Sequence, residues 1–208
     1  MKQITTILAV LVSFTMSAQL SSVTENSKTG QRLTVSNAAN HGDIGSNAVD
    51  LSYSNNSSTT RGAKGDYSVA MGYNTTASGY ASTAMGGYTK ASGYGSTAMG
   101  SYPTASGDYS TAMGSFTTAS GLISTAMGSR ATASDYASLS IGSYNSVNSS
   151  VTGSATAFNT ANAAFVIGNG TASNAKSDAF VVYFNGNATL AGDLTINSDA
   201  RLKDNIQP

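Results

Sequence analysis

Side chains able to do chemistry are sparse in this chain, and most stand alone. The single histidine, His41, lies in Asn40-His41-Gly42-Asp43. A metal centre needs several converging ligands, which this neighbourhood does not offer. His41 therefore reads as a turn residue, and no metal or other cofactor is expected. Cysteine is absent, so there is no thiolate nucleophile and no disulfide framework. No acid pair, histidine-based triad or phosphate loop recurs, and an enzyme is not expected. Gly168-Asn169-Gly170 lacks the helix that must follow a nucleotide fingerprint, and the Gly-Gly-x-Gly-x-Asp pattern of calcium β-rolls is missing. Ten basic and ten acidic residues give zero net charge, which points neither to nucleic acid nor to an anionic membrane.

What does recur is a set of side chains in strict phase. Gly72, Gly86, Gly100, Gly114, Gly128 and Gly142 follow one another every fourteen residues without insertion. Met71, Met85, Met99, Met113 and Met127, then Ile141, precede them. Aromatic residues form two further columns: Tyr80, Tyr94 and Tyr136 on one side of the glycine, Tyr88, Tyr102, Phe116 and Tyr144 on the other. Such columns present a flat, repetitive surface to a polymer or matrix protein, or pack on one another to shield the fold; the sequence leaves both open. Thr83, Thr97, Thr111 and Thr125 make a regular column as well, but one clean column beside methionines is a weak ice-binding surface.

The elements that position these columns follow from the period. A short fixed repeat is one supersecondary unit stacked on copies of itself, none able to bury a core alone. Low charge and abundant Ser, Thr, Ala, Asn and Gly would ordinarily suggest disorder, but a disordered tract has no reason to hold Gly and Met in phase. Ser82-Thr83-Ala84-Met85 alternates as a strand does. Gly86 is expected to break that strand as a turn glycine, as are its copies. A second extended piece then runs to Ala91, and Ser92-Gly93 is expected to turn with a positive φ at the glycine. Helix is disfavoured by the glycines and by the lack of a 3.6-residue stripe. The prediction is an all-β parallel solenoid with rungs about 4.8 Å apart. Ser82, Ala84 and their copies are small enough to face inward. The methionine ladder then faces outward as an apolar stripe of the kind that marks an interface, and is expected to meet other copies of the chain. The alternative, methionines filling each coil, leaves too little room inside fourteen residues.

The units Tyr67-Ser68-Val69-Ala70-Met71-Gly72 and Ser-Thr-Ala-Met-Gly resemble the head repeat of trimeric autotransporter adhesins, Ser-Val-Ala-Ile-Gly, over residues 65–148. The resemblance implies a left-handed parallel β-roll, three of which pack as a homotrimer on a cell surface. Met replaces the usual Ile, which changes packing and not pattern. The family's C-terminal membrane barrel is not found, so autotransport itself is not expected.

The flanks differ. Residues 1–18 combine Lys2, the apolar run Ile7–Phe14 and Met16-Ser17-Ala18, the order of a secretory signal peptide. The mature chain is then secreted or surface-displayed, and no later segment is apolar enough to span a membrane. Residues 19–64 are expected to cap the first coil, with strands near Leu33–Val35 and Ala48–Tyr53. Residues 149–196 form an irregular β extension. There Asp178–Phe184 is strongly β-prone, Asn185-Gly186 is a tight turn, and Ala188–Ile196 returns as a second, hairpin-like strand. Asn197–Ile206 is similar to the entry of the self-cleaving intramolecular chaperone of phage tail spikes and endosialidases. That similarity implies a Ser198–Lys203 dyad, with cleavage before Ser198. A lysine base requires burial to lower its pKa, and residues 197–208 alone do not provide it, so no self-cleavage is expected. The leading expectation is an adhesin-type head binding an extracellular matrix protein or polysaccharide. The alternative is a structural tail-fibre or spike segment assembled by that chaperone.

Overall fold

A computed structural model describes residues 20–193. The signal-like segment and the Ser198–Lys203 motif lie outside the described residues. Strands β1 (Leu20–Glu25) and β2 (Lys28–Leu33) form an antiparallel hairpin; β3 (Val49–Tyr53) and β4 (Gly62–Ala63) make the first coil. The repeats follow as long and short strands in turn: β5 (Val69–Tyr73) and β6 (Thr76–Ala77), β7 (Thr83–Gly87) and β8 (Lys90–Ala91), β9 (Thr97–Ser101) and β10 (Thr104–Ala105). After them come β11 (Thr111–Ser115) and β12 (Thr118–Ala119), β13 (Thr125–Ser129) and β14 (Thr132–Ala133), then β15 (Leu139–Ser143). Finally β16 (Ala163–Asn169), β17 (Asp178–Tyr183) and β18 (Ala188–Leu190) close the described chain. One 3-10 turn, Ala38–Asn40, is the only helical element among the described residues.

The long strands stack in parallel from β3 to β16, and the short strands β4 to β14 form a second parallel sheet behind them. Register is one of identity: Thr97, Ala98, Met99, Gly100 and Ser101 pair with Thr111, Ala112, Met113, Gly114 and Ser115. The protein is thus an all-β parallel solenoid. Between the sheets lie two facing alanine columns. Ala84, Ala98, Ala112 and Ala126 come from the long strands and Ala91, Ala105, Ala119 and Ala133 from the short ones, all 0% exposed. Ser82, Ser96, Ser110 and Ser124 complete the interior at 0%. So narrow a core explains how the chain manages with few large apolar residues.

Three local expectations are corrected. Gly72, Gly86, Gly100, Gly114, Gly128 and Gly142 lie inside the long strands and are not turn residues. A Cβ on Gly100 would sit 2.1 Å from the Gly114 carbonyl of the next coil, and its φ is +126°, so glycine serves close stacking rather than a break. The positive φ expected at Gly93 is instead adopted further on, at Tyr67, Ala81, Gly95, Tyr109, Ile123 and Ala137 in successive coils. Residues 34–35 also fall outside the strands, because the cap hairpin ends at Leu33.

The C-terminal end of the stack is closed by side chains that imitate the next coil. Where Thr118 N–H donates to the Ala131 carbonyl, Thr132 N–H donates to Asn145 Oδ1 at 2.7 Å. Ser134 and Asp135 N–H both donate to Asn148 Oδ1, at 2.8 and 2.7 Å. Asp135 replaces the glycine of earlier coils. Its buried carboxylate accepts from the backbone N–H of Thr152 (2.7 Å) and Ala163 (2.8 Å) and from the Thr152 hydroxyl. This gathers the 144–162 excursion and returns the chain to β16, whose Phe165, Val166 and Ile167 pair with Leu139, Ser140 and Ile141. β17 and β18 then add antiparallel strands.

Candidate binding surface

Each coil turns between its sheets at two corners, and most corner residues are non-glycine with positive φ. At the corner after the long strand these are Asn74, Tyr88, Tyr102, Phe116, Arg130 and Tyr144, with φ between 41° and 59°. Left-handed backbone costs an L-residue roughly 1–2 kcal/mol, and that cost recurs in every coil. Two contacts oppose it. The corner N–H is used: Tyr102 donates to the Gly87 carbonyl and Phe116 to Ser101, each at 2.8 Å. The side chain is also thrown outward, onto its equivalent in the next coil.

The result is a continuous ladder. Tyr88 and Tyr102 stack with centroids 4.5 Å apart and planes 4° from parallel; Tyr102 and Phe116 follow at 4.7 Å and 2°. Arg130 takes the next rung, its guanidinium carbon 4.3 Å from the Phe116 centroid and 5.5 Å from that of Tyr144. Each ring–ring or cation–ring contact contributes about 0.5–1.5 kcal/mol, the scale needed to offset the strain. Tyr73 joins the other end edge-on, 5.3 Å from Tyr88. Packing against its neighbours, then the field of Tyr88, pushes the Tyr102 phenol above its ordinary range.

The opposite corner carries Tyr80 and Tyr94, stacked at 4.9 Å and 10°, flanked by Tyr67 and Tyr109 at tilted angles. Packing against neighbours, then Tyr94, Tyr67 and Asp66, pushes the Tyr80 phenol up. Asp108 and Leu122 occupy the equivalent positions in the next two coils. Tyr109 carries the ring contacts into the first of them, and the Leu122–Ile123 rung, without a ring, separates Tyr136 from the ladder. The rings of both ladders are only partly exposed: Tyr88, Tyr102 and Phe116 keep 41–43%. They pack on one another and still reach solvent, so the two readings open from sequence are not exclusive.

The outer face of the long-strand sheet bears the methionine column in register, Met71 through Met127 and then Ile141. Met71 and Met127 are 37% and 39% exposed, and Thr83, Thr97, Thr111 and Thr125 line the same face, partly covered. The thioethers therefore point away from the alanine core.

Beneath the N-terminal hairpin is a buried charged cluster that sequence reasoning missed. Arg32 spans Glu25 (2.7 and 3.0 Å) and Asp50 (3.4 Å), and His41 Nδ1 lies 3.0 Å from Asp50 Oδ2. His41 follows the 3-10 turn in the backbone, as its neighbours suggested, but its side chain is buried in this cluster. Burial opposes ionisation of Asp50; the His41 and Ser52 hydrogen bonds outweigh it and hold the carboxyl below its ordinary value. Glu25 is depressed likewise, burial being outweighed by Arg32 and the Ile44 N–H. Among the described residues no group of three His, Cys, Asp or Glu could hold a metal ion, and no helix is long and apolar enough to cross a membrane.

Comparison with known families gives one match. The YadA head domain repeat matches in overlapping copies at residues 63–89, 77–102, 91–117, 105–122 and 119–145. These span the solenoid from β4 into the last residues before Asn148. No curated protein and no solved structure shows significant similarity to the chain.

Proposed function

We propose that this chain, built on YadA head domain repeats over residues 63–145, is the head of a cell-surface adhesin. It assembles as a homotrimer through the methionine face and leaves the aromatic corners free for an elongated extracellular ligand. The observation that carries the reading is the outward methionine column. Full burial of a methionine contributes roughly 1.5–3 kcal/mol, and a bit over a third of the surface is still exposed at Met71 and Met127. Those two rungs therefore each have about 0.5–1 kcal/mol left to gain in a partner. The half-buried Met85, Met99 and Met113 add smaller shares, and the whole column is repeated in each of three chains.

Light scattering after size exclusion tests this on the full chain. The wild type should give a threefold mass that survives dilution, and Met99→Asp/Met113→Asp should give a folded monomer. A wild-type monomer with solenoid circular dichroism would refute the assembly.

A further inference from the structure

The two aromatic corners differ in charge. Lys90 lies two residues past Tyr88, and Arg130 occupies the rung beyond Phe116; both are exposed, and neither is in an ion pair among the described residues. Around Tyr80 and Tyr94 stand Asp66, which is paired with Lys28 at 2.8 Å, and Asp108, which accepts from Tyr94 N–H at 2.8 Å and is in no ion pair among the described residues. We propose that the Tyr88–Tyr102–Phe116 corner binds flat, elongated aromatic anions, laid along the solenoid axis across the ring edges, with acidic groups at Lys90 and Arg130. The proposal rests on the head reading and names its ligand class.

Ring geometry sets that class. In this stack every ring covers the faces of its neighbours, with planes 2–4° from parallel. Solvent therefore meets ring edges and phenolic hydroxyls, not ring faces. A saccharide stacks on a free face, so the polysaccharide expected from sequence is disfavoured here. Ring edges carry partial positive charge and favour the negative π-face of a partner in edge-to-face contact. A flat conjugated molecule lying on the ridge meets several edges at once. From the Tyr88 rung to the Arg130 rung is three steps of about 4.8 Å, roughly 14 Å, the length of a few linked aromatic rings. The cations at the two ends select acidic substituents, and the unpaired Asp108 carboxylate of the opposite corner disfavours them there.

Congo red, a flat bis-azo disulfonate, serves as the probe, titrated into the full-length protein by absorbance shift with mass followed by light scattering. Saturable binding is expected. Arg130→Gln and Lys90→Gln should each weaken it about tenfold, and Tyr102→Ser/Phe116→Ser should abolish it. Tyr94→Ser, on the acidic corner, should leave it unchanged, and cellohexaose should not compete. Unchanged affinity in both cation variants overturns the proposal, as does loss confined to Tyr94→Ser. Because both cations are exposed, those variants remain informative even where the aromatic double variant fails to fold. A trimer that does not bind the dye removes the ligand class and leaves the head reading intact. A monomer that binds it with this mutational pattern supports the ligand class and removes the assembly.

Discussion

Two glycines separated by less than two coils should respond in opposite directions to the same substitution. At Gly107 an added Cβ would lie 2.1 Å from the Gly121 carbonyl oxygen, 2.6 Å from its carbon and 2.9 Å from the Ser120 oxygen. All three are backbone atoms of the next coil, and the first contact falls 0.9 Å short of the 3.0 Å floor for real Cβ atoms. The coils must separate locally, which stretches the bonds from Ser106 N–H and Gly107 N–H to the Ala119 carbonyl, now 2.9 and 3.2 Å. Weakening two such bonds costs about 1 kcal/mol each, and the overpacking adds about 1–3 kcal/mol. Gly107→Ala should therefore destabilise by roughly 3–5 kcal/mol, the sum of those two costs. At Gly87 nothing lies within 4 Å of the added Cβ, and later coils carry Ser101, Ser115 and Ser129 there. Gly87→Ala should stabilise by about 0.4–1 kcal/mol through the unfolded chain. At about 2–4 °C per kcal/mol for a domain of this size, thermal melts by far-ultraviolet circular dichroism should place Gly107→Ala roughly 6–20 °C below wild type and Gly87→Ala slightly above it. Equal melting temperatures for the two variants would refute the backbone-contact account.

Three further outcomes follow from the two ends of the stack. Asp50→Asn leaves Arg32 and His41 without their shared carboxylate and should cost about 3 kcal/mol, read as a drop in denaturant midpoint; a wild-type midpoint would refute it. Glu25 and Asp50 are depressed in the folded state, so their stabilisation is present above the ordinary carboxylate range and is lost as pH falls through their folded values. Amides of the β1–β2 hairpin should therefore lose hydrogen-exchange protection below about pH 4 while the Ala98–Ala126 core amides keep theirs; uniform loss would contradict the assignment. Asn148→Ala removes the acceptor of two buried N–H groups and should cost about 2–4 kcal/mol, with exchange rising first at Ser134 and Asp135; unchanged exchange there would exclude the cap.

The repeat made most of the fold legible. Ala84 and Ser82 face inward because nothing larger fits between the sheets, and Met85 faces outward by alternation, as read from Ser-Thr-Ala-Met. The corners were not legible, since turn reasoning assigns positive φ to glycine. Here Tyr102 and Phe116 adopt it, because their rings stack on equivalents that sequence proximity does not reveal. Glycine is kept at Gly100 and Gly107 for neighbouring backbone, a contact between coils that no local rule registers. The Arg32–Asp50–His41 cluster was equally hidden, joining residues from the hairpin, the 3-10 turn and β3 that share no motif. Of the candidate site, the ladder positions were visible as columns, but their stacking, the part Tyr109 takes in it, and the separation of Tyr136 by the Leu122–Ile123 rung arise from contacts between coils.

Identity of register has a consequence for how the chain finds its own alignment. Because Thr97–Ser101 matches Thr111–Ser115 residue for residue, a strand displaced by one whole coil sets alanine on alanine and methionine on methionine. A chain with one unit looped out would keep nearly all its ladder contacts and lose only that unit's share. The repeats alone therefore do not determine their own count in the stack. That task falls to residues that occur once: Lys90 within a short strand and Pro103 just before one, Asp135 where a glycine is due, and Asn145 and Asn148 beyond the last short strand. They act as phase marks on an otherwise uniform ruler, and exchanging them for the consensus residue would leave each coil intact while allowing threads of unequal length.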